Sequence, residues 1–347
     1  MEMDDLDRRL LKEVQEALPI SPRPYAEIAA RLGIDEEEAL ERLRALRDGR
    51  IIRQINAIFD TRALGYSSSL VASRIAPERL VEAAQVINSH PGVSHNYERN
   101  DAFNLWWTIA VPPGSSLEAT VQRLHELSGA ESTRILPTLR LFKIGVNLDI
   151  TGERPPDATS DPEYTEEHRA RTAAHALTER DKQLVCALQE DLALVPRPFD
   201  APAASVGLTA EELLDEARRL QEYGYLRRFA AILYHRRAGF RANAMGVWAV
   251  PDDRVAEIGP RMASFTAVSH CYQRPTYPDW PFSIFTMVHG RTPEECNAIL
   301  AAISRETGIS EYRALYSTRE WKKTRVRYFT PEIAAWEREH LPTSAPA

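Results

Sequence analysis

The chain repeats itself. "VSHNYER" at positions 93–99 returns as "VSHCYQR" at 268–274, with five of seven letters unchanged. Other stretches match at shifts of 174 to 179 residues: "SPRPYAEIA" from 21 answers to "VPRPFDAPA" from 195, "DGRIIRQINAIFDTRALGY" from 48 to "YGYLRRFAAILYHRRAGF" from 223, and "LPTLRLFKIGV" from 136 to "LYSTREWKKTRV" from 315. In 347 residues such a period leaves room for two copies only. The fold must therefore be built from two homologous halves able to pair as an internal pseudo-dimer. Between them, 151–176 is rich in Pro, Thr, Asp and Glu and reads as an exposed linker, while the tail 333–347, ending in "EREHLPTSAPA", is expected to fray.

Each half divides again by the period of its apolar residues. In 1–60, Leu6, Leu10, Leu11 and Val14 recur at helical spacing, and "YAEIAARLG" and "IDEEEALERLRALRDG" add two short helices about a turn at Gly33. Asp35 can cap the last helix, with Glu38 three residues on as in a capping box, and "RIIRQINAIF" follows as a β-wing. This is a winged helix-turn-helix pattern. It recurs in degenerate form over 177–235, where Pro202 interrupts the second helix. The stretches 61–150 and 236–332 each alternate strand and helix in the order β-α-β-β-α-β, the pattern of a ferredoxin-like sandwich. The fold class is therefore α+β, a tandem repeat of the two modules.

Composition removes several function classes. Cys186, Cys271 and Cys296 form no C-x-x-C pair, which argues against a disulfide framework, structural zinc or an iron–sulfur cluster. Acids and bases fill the N-terminus where a signal peptide needs an apolar run, and no stretch of about 18 apolar residues occurs, so a cytoplasmic protein with no membrane contact is expected. A net charge of −7 weighs against nucleic acid as a partner.

The repeated heptapeptide is the best candidate for chemistry. Side chains alternate along a strand, so His95, Tyr97 and Arg99 fall on one face by their i, i+2, i+4 spacing, as do His270, Tyr272 and Arg274. Asn96 and Cys271 then face away and are not joint ligands with the histidines. Two duplicated structural strands would also account for the pattern.

A winged helix followed by a ferredoxin-like domain resembles the Lrp/AsnC family of bacterial transcription regulators over nearly the whole of each half. A regulator must bring the first turn of its recognition helix to DNA. Here that turn is "DEEE" at 35–38, and the second copy, "LTAEELLDEA", is acidic too. Carboxylates suit a helix N-terminus but repel a polyanion, so DNA binding is disfavoured and a packing role for these domains is expected.

The segments "HPGVSHNYERNDAFNLWWT" and "VSHCYQRPTYPDWPFSIFTMVHG" bring a second resemblance, to the siroheme decarboxylases, in the form with both subunits fused in tandem. That resemblance covers the full length. It implies loss of CO2 from the C12 and C18 acetates of siroheme to give 12,18-didecarboxysiroheme, in heme d1 or alternative heme biosynthesis. No separate cofactor is implied, since the substrate carries its own iron.

A flat macrocycle fringed by carboxylates calls for aromatic walls and fixed cations. Tyr97, Trp106, Trp107, Tyr272, Tyr277, Trp280 and Phe282 are the candidate walls, and Arg99, Arg140, Lys143, Arg274, Arg319 and Lys322 the candidate anchors. Core packing for the aromatics and a solvated edge for the cations are the bland alternatives. His95 and His270 are the candidate acid and base, or one of them an axial contact to the substrate iron. His289 of "MVHG", without a histidine counterpart in the first half, is a candidate rim residue. A tetrapyrrole-binding sensor without catalysis remains a third possibility, and further homo-oligomerisation is left open.

Overall fold

Apolar stripes and caps set the helices of the first module. In the computed structural model, which describes residues 3–144, 172–234 and 242–341, α1 (Asp5–Glu16) buries Leu10, Leu11 and Val14. Helix α2 (Pro24–Leu32) stops where Gly33 turns left-handed at φ 75°. Helix α3 (Glu36–Asp48) starts at Asp35, whose carboxylate accepts from the Glu38 N–H at 2.8 Å. The Glu38 carboxylate turns instead to Arg42, at 3.0 Å, so only half of the expected capping box forms. In the second copy, α6 (Glu179–Leu188) and α8 (Ala210–Glu222) flank α7 (Asp200–Ser205), which Pro202 confines to six residues.

The expected wing does not fold back on itself. Strand β1 (Ile52–Phe59) pairs antiparallel with its own repeat, β7 (Leu226–Leu233). The reason is burial: Ile52, Ile55, Ala57 and Phe59 join Leu10, Leu43, Leu184, Leu213 and Phe229 in one apolar core that both helical modules share. A wing open to solvent would leave that apolar set in water.

The ferredoxin-like modules follow the expected order, with one change. The first contains β2 (Ser67–Arg74), α4 (Leu80–Ser89), β3 (Val93–Arg99), β4 (Leu105–Val111), α5 (Leu117–Ser128) and β5 (Ser132–Leu136), continued after Pro137 by β6 (Arg140–Ile144). The second contains β8 (Ala242–Trp248), α9 (Val255–Ser264), β9 (Val268–Gln273), β10 (Ile284–Gly290), α10 (Pro293–Thr307) and β11 (Tyr312–Lys323). The strands form one sheet ordered β5-β2-β4-β3-β11-β8-β10-β9-β6. Each copy's last strand therefore crosses to the other: β11 pairs with β8 over 312–316 and with β3 over 317–323, while β6 pairs with β9.

Helices cover the outer faces, where Val93, Trp107 and Ile87 make one core and Trp248, Ile258 and Leu300 another. The inner faces meet on Ala72, Trp106 and Leu136 from one copy and Val247, Trp280 and Phe285 from the other. The tail also departs from expectation. Residues Pro331–His340 form α11, because Ile333 and Trp336 are buried and the Trp336 ring lies 4.5 Å from that of His90. The linker segment 151–171 and His235 lie outside the described residues.

Candidate functional site

Strand alternation sorts the repeated heptapeptides by face. On β3, the Asn96 amide points outward and donates to Asn88 Oδ1 of α4 at 2.9 Å. On β9, the Cys271 thiol points outward toward the Gly259 carbonyl of α9, and burial pushes it up to about 12, so it is a neutral packing group. His95, Tyr97 and Arg99, and their repeats His270, Tyr272 and Arg274, line the inner faces. There the rings of His95 and Tyr97 lie near-parallel at 6.1 Å and the Arg99 guanidinium lies 5.9 Å from the Tyr97 ring. The copy matches it, with 6.0 Å from His270 to Tyr272 and 5.0 Å from Tyr272 to Arg274. Each set is a ladder from a half-buried histidine to an arginine whose guanidinium is buried.

The serine before each histidine should point to the other face. It does not, because both strands bulge there. Val93 and His95 pair with the consecutive residues Ile109 and Thr108, leaving Ser94 as the extra residue, and Ser269 is extra in the same way opposite Met287 and Val288. The bulge turns each hydroxyl onto its histidine: Ser94 Oγ is 3.0 Å from His95 Nδ1, and Ser269 Oγ is 2.8 Å from His270 Nδ1. The surroundings then diverge. Thr108 Oγ1 lies 2.8 Å from Ser94 Oγ, whereas His289 Nε2 lies 2.7 Å from Ser269 Oγ. Ser94, Thr108 and Ser269 escaped sequence reasoning because plain alternation hides a bulge.

The two arginines are electrostatically unusual. Arg99 Nη1 donates to the Leu315 carbonyl at 3.0 Å, and Arg274 Nη1 donates to that of Leu136, so each grips the crossing strand. Among the described residues neither has a carboxylate partner, and the Nε of each is buried without a hydrogen bond. Burial pulls both guanidiniums down to about 10. Nearby Tyr97 opposes this for Arg99, while for Arg274 Tyr272 opposes it and Arg62 reinforces it. Both remain cationic at neutral pH, and buried charges of this kind are ready receptors for an anion.

The other expected anchors are not brought to this face. A bulge at Phe142 sets Lys143 opposite Cys271, and one at Trp321 sets Lys322 opposite Asn96, on the outer side. There Lys143 Nζ donates to the Phe265 carbonyl at 2.9 Å and Lys322 Nζ to that of Asn88 at 2.8 Å, ending α9 and α4, and burial lowers both amines. Arg140 and Arg319 are exposed and sit on the outward rings of Phe142 and Trp321 at 5.1 and 3.7 Å. The crossing strands instead set Lys323 opposite His95 and Glu320 opposite Tyr97, where Leu141 stands opposite Tyr272.

The aromatics divide similarly. Trp107 is on the outer face, its Nε1 donating to Ser73 Oγ at 3.1 Å. Trp106 and Trp280 lie 5.2 Å apart in the core between the two inner faces with Phe282 and Phe285, and form the floor beneath the ladders. Tyr277 O–H donates to the Ile135 carbonyl at 2.6 Å, and Asp279 accepts both arms of Arg134 at 2.8 Å, so the "PTYPDWPF" insert straps the copies together.

The helix-turn-helix modules offer little to DNA. In α3, Arg44 donates to the Leu194 carbonyl, Arg47 to Asp191 and the Leu192 carbonyl, and Arg42 to Asp4, Asp7 and Glu38. In α8, Arg218 binds Asp215 and the Ile20 carbonyl, and Arg219 binds Asp181 and Glu216. Every arginine of both recognition helices is thus engaged within the chain. A cavity of about 530 Å³ beside Arg62, Gly65, His175 and Lys182 contains none of the ladder residues. Among the described residues no cluster of three metal-ligating side chains occurs, and no helix is long and apolar enough to cross a membrane.

Comparison with known proteins agrees with this architecture. The AsnC-like ligand binding domain family matches residues 63–143 and 237–322, and the siroheme decarboxylase NirDL-like HTH domain family matches 7–53 and 181–227. A siroheme decarboxylase of Hydrogenobacter thermophilus is 42% identical over 95% of this chain and 97% of its own. A siroheme decarboxylase NirDL subunit of Paracoccus denitrificans is 36% identical over 92% and 96%. A siroheme decarboxylase beta subunit of Methanosarcina barkeri is 46% identical over 42% of this chain and 97% of its own, as expected of a half-length relative. The crystal structure of the siroheme decarboxylase NirDL superposes with a TM-score of 0.77 at 37% identity, covering 97% of this chain and 98% of that one. The same enzyme in co-complex with an iron-uroporphyrin III analogue also scores 0.77, at 36% identity over 97% and 99%.

Proposed function

This chain belongs to the siroheme decarboxylase family, and on that premise we propose that it removes CO2 from the C12 and C18 acetates of siroheme, giving 12,18-didecarboxysiroheme for heme d1 or alternative heme formation. The observation that carries the reading is the pair of His–Tyr–Arg ladders, each ending in a buried guanidinium that no carboxylate of the described residues neutralises. A substrate fringed by carboxylates supplies the missing anions. The iron belongs to the substrate, and no further cofactor enters the scheme.

In this scheme Arg99 and Arg274 hold substrate carboxylates at the inner end of each ladder, in a medium where a charge-assisted hydrogen bond is strong. Tyr97 and Tyr272 present half-buried rings beside them. When the C–C bond breaks, its electron pair stays on the side-chain methylene and spreads into the macrocycle. A proton must then reach that carbon, and a histidine is suited to deliver it near neutral pH. The serines hold Nδ1 of His95 and His270, which supports Nε2 as the nitrogen that meets the substrate. Regulation through DNA is disfavoured by the engaged arginines of α3 and α8, and the protein is taken to work in the cytoplasm as an internal pseudo-dimer.

Anaerobic incubation of the purified protein with siroheme, followed by product mass, tests the reading. Two successive losses of CO2 are expected. Binding without loss of mass would leave a tetrapyrrole sensor, and no binding would refute both.

A further inference from the structure

The two ladders differ in what lies behind the histidine. In the second copy Ser269 Oγ touches two imidazoles, His270 Nδ1 at 2.8 Å and His289 Nε2 at 2.7 Å. In the first copy Ser94 Oγ lies 3.0 Å from His95 Nδ1 but meets the hydroxyl of Thr108, at 2.8 Å. Met287 lies opposite His270 and Thr108 opposite His95, so His289, two residues beyond, corresponds to Ala110. A threonine hydroxyl neither gains nor loses a net proton near neutral pH, whereas an imidazole can do both.

We propose that His289 is a proton-relay and positioning residue that acts through Ser269 on His270, making the second copy the one that delivers the proton. The inference rests on the decarboxylase reading and deepens it. In the starting state His289 is protonated on both nitrogens, its Nε2–H donates to Ser269 Oγ, and the serine O–H donates to His270 Nδ1. His270 then carries its own proton on Nε2, facing the reacting acetate.

As CO2 leaves, the electron pair of the broken C–C bond takes the Nε2 proton and forms the new C–H bond of a methyl group. The serine proton passes to His270 Nδ1, and the His289 Nε2 proton passes to the serine oxygen. His270 is neutral before and after, and the positive charge lost from His289 balances the negative charge lost from the carbon. Once product leaves, solvent reprotonates His289, which is half-buried, and His270 gives up its Nδ1 proton and takes one from solvent on Nε2, which restores the starting state. The relay needs the bulge at Ser269, since without it the hydroxyl would lie on the opposite face from both rings.

The test measures siroheme affinity and anaerobic turnover, in light and heavy water, for His289→Ala, His289→Asn, Ser269→Ala and the Ser269→Ala/His289→Ala double variant. The alanine at 289 reproduces what the first copy holds at that place, and folding is checked by thermal melting. The expected result is wild-type siroheme affinity in both 289 variants, turnover down about tenfold to a hundredfold, a changed solvent isotope effect, and partial rescue of His289→Ala by added imidazole. The double variant should be no slower than Ser269→Ala alone. Wild-type turnover in either folded 289 variant, a loss confined to affinity, or additive losses in the double variant would overturn the relay. If wild-type protein binds siroheme but releases no CO2, the decarboxylase reading has itself failed, and the relay falls with it before any variant is made.

Discussion

Replacing Arg274 by methionine separates what a buried charge does for the fold from what it does for a ligand. Arg274 is held near 10 against an ordinary arginine value of 12.5, chiefly by burial. At about 1.4 kcal/mol for each tenfold change in proton affinity, keeping this group charged inside the unliganded protein costs about 3 kcal/mol. Methionine fills similar volume without charge. It gives up the hydrogen bond to the Leu136 carbonyl and the stacking on Tyr272 and Phe285, together about 1 to 3 kcal/mol. The unliganded variant should therefore be about as stable as the parent, or up to about 2 kcal/mol more stable. Siroheme affinity should move the other way, because a desolvated guanidinium–carboxylate contact is worth about 2 to 4 kcal/mol, or about thirtyfold to a thousandfold in Kd. Urea unfolding of the unliganded protein and an absorbance titration with siroheme measure the two quantities. A variant destabilised by several kcal/mol with unchanged siroheme affinity would refute the reasoning, since Arg274 would then be a structural strut.

Three further outcomes follow from the packing. A Cβ added at Gly259 would lie 2.2 to 2.5 Å from the Phe142 ring, so Gly259→Ala should cost about 1 to 3 kcal/mol, and pairing it with Phe142→Ala should cost less than the sum of the two single changes; additivity would show that the ring moves aside freely. His90 is held down to about 3, first by burial and then by Lys322 and His340. The unfolded chain takes up this proton near pH 6.5 and the native state refuses it, so the contribution to stability is complete above 6.5 and is lost as pH falls toward 3. Between pH 6.5 and 5 the loss is about 2 kcal/mol, and His90→Gln should flatten that stretch of the unfolding free-energy curve; an unchanged slope would contradict it. Trp336→Ala should release α11 from the first sheet at a cost of about 3 kcal/mol, read as faster tryptic cleavage at Arg338, and unchanged cleavage would show that the helix docks without its ring.

Much of the molecule can be read without coordinates. The repeat dictates two halves, because matching apolar periods produce matching folds, and alternation along an extended chain sets His95, Tyr97 and Arg99 on one face whatever surrounds them. The acidic first turns of α3 and α8 already weigh against DNA. What alternation cannot reveal is where it stops. Bulges at Ser94 and Ser269 bring hydroxyls to the histidines, and bulges at Phe142 and Trp321 carry Lys143 and Lys322 to the helix side. A bulge is decided by strand pairing with a distant partner, which a local pattern does not contain.

The exchange of last strands is likewise a tertiary outcome. Both β5–β6 and β11 are long enough to serve their own copy and then the other, and the gain comes from satisfying the exposed edges of β3 and β9. The state of the arginines is decided there too. Arg99 and Arg274 look like ordinary polar residues in a sequence; they become buried cations without carboxylate partners among the described residues only because the crossing strands offer them carbonyls. The sequence by itself determined the duplication, the paired ladders and their face. Tertiary packing alone decided which cations reach that face and what stands behind each histidine, because burial and proton affinity depend on neighbours that the chain brings together from far apart.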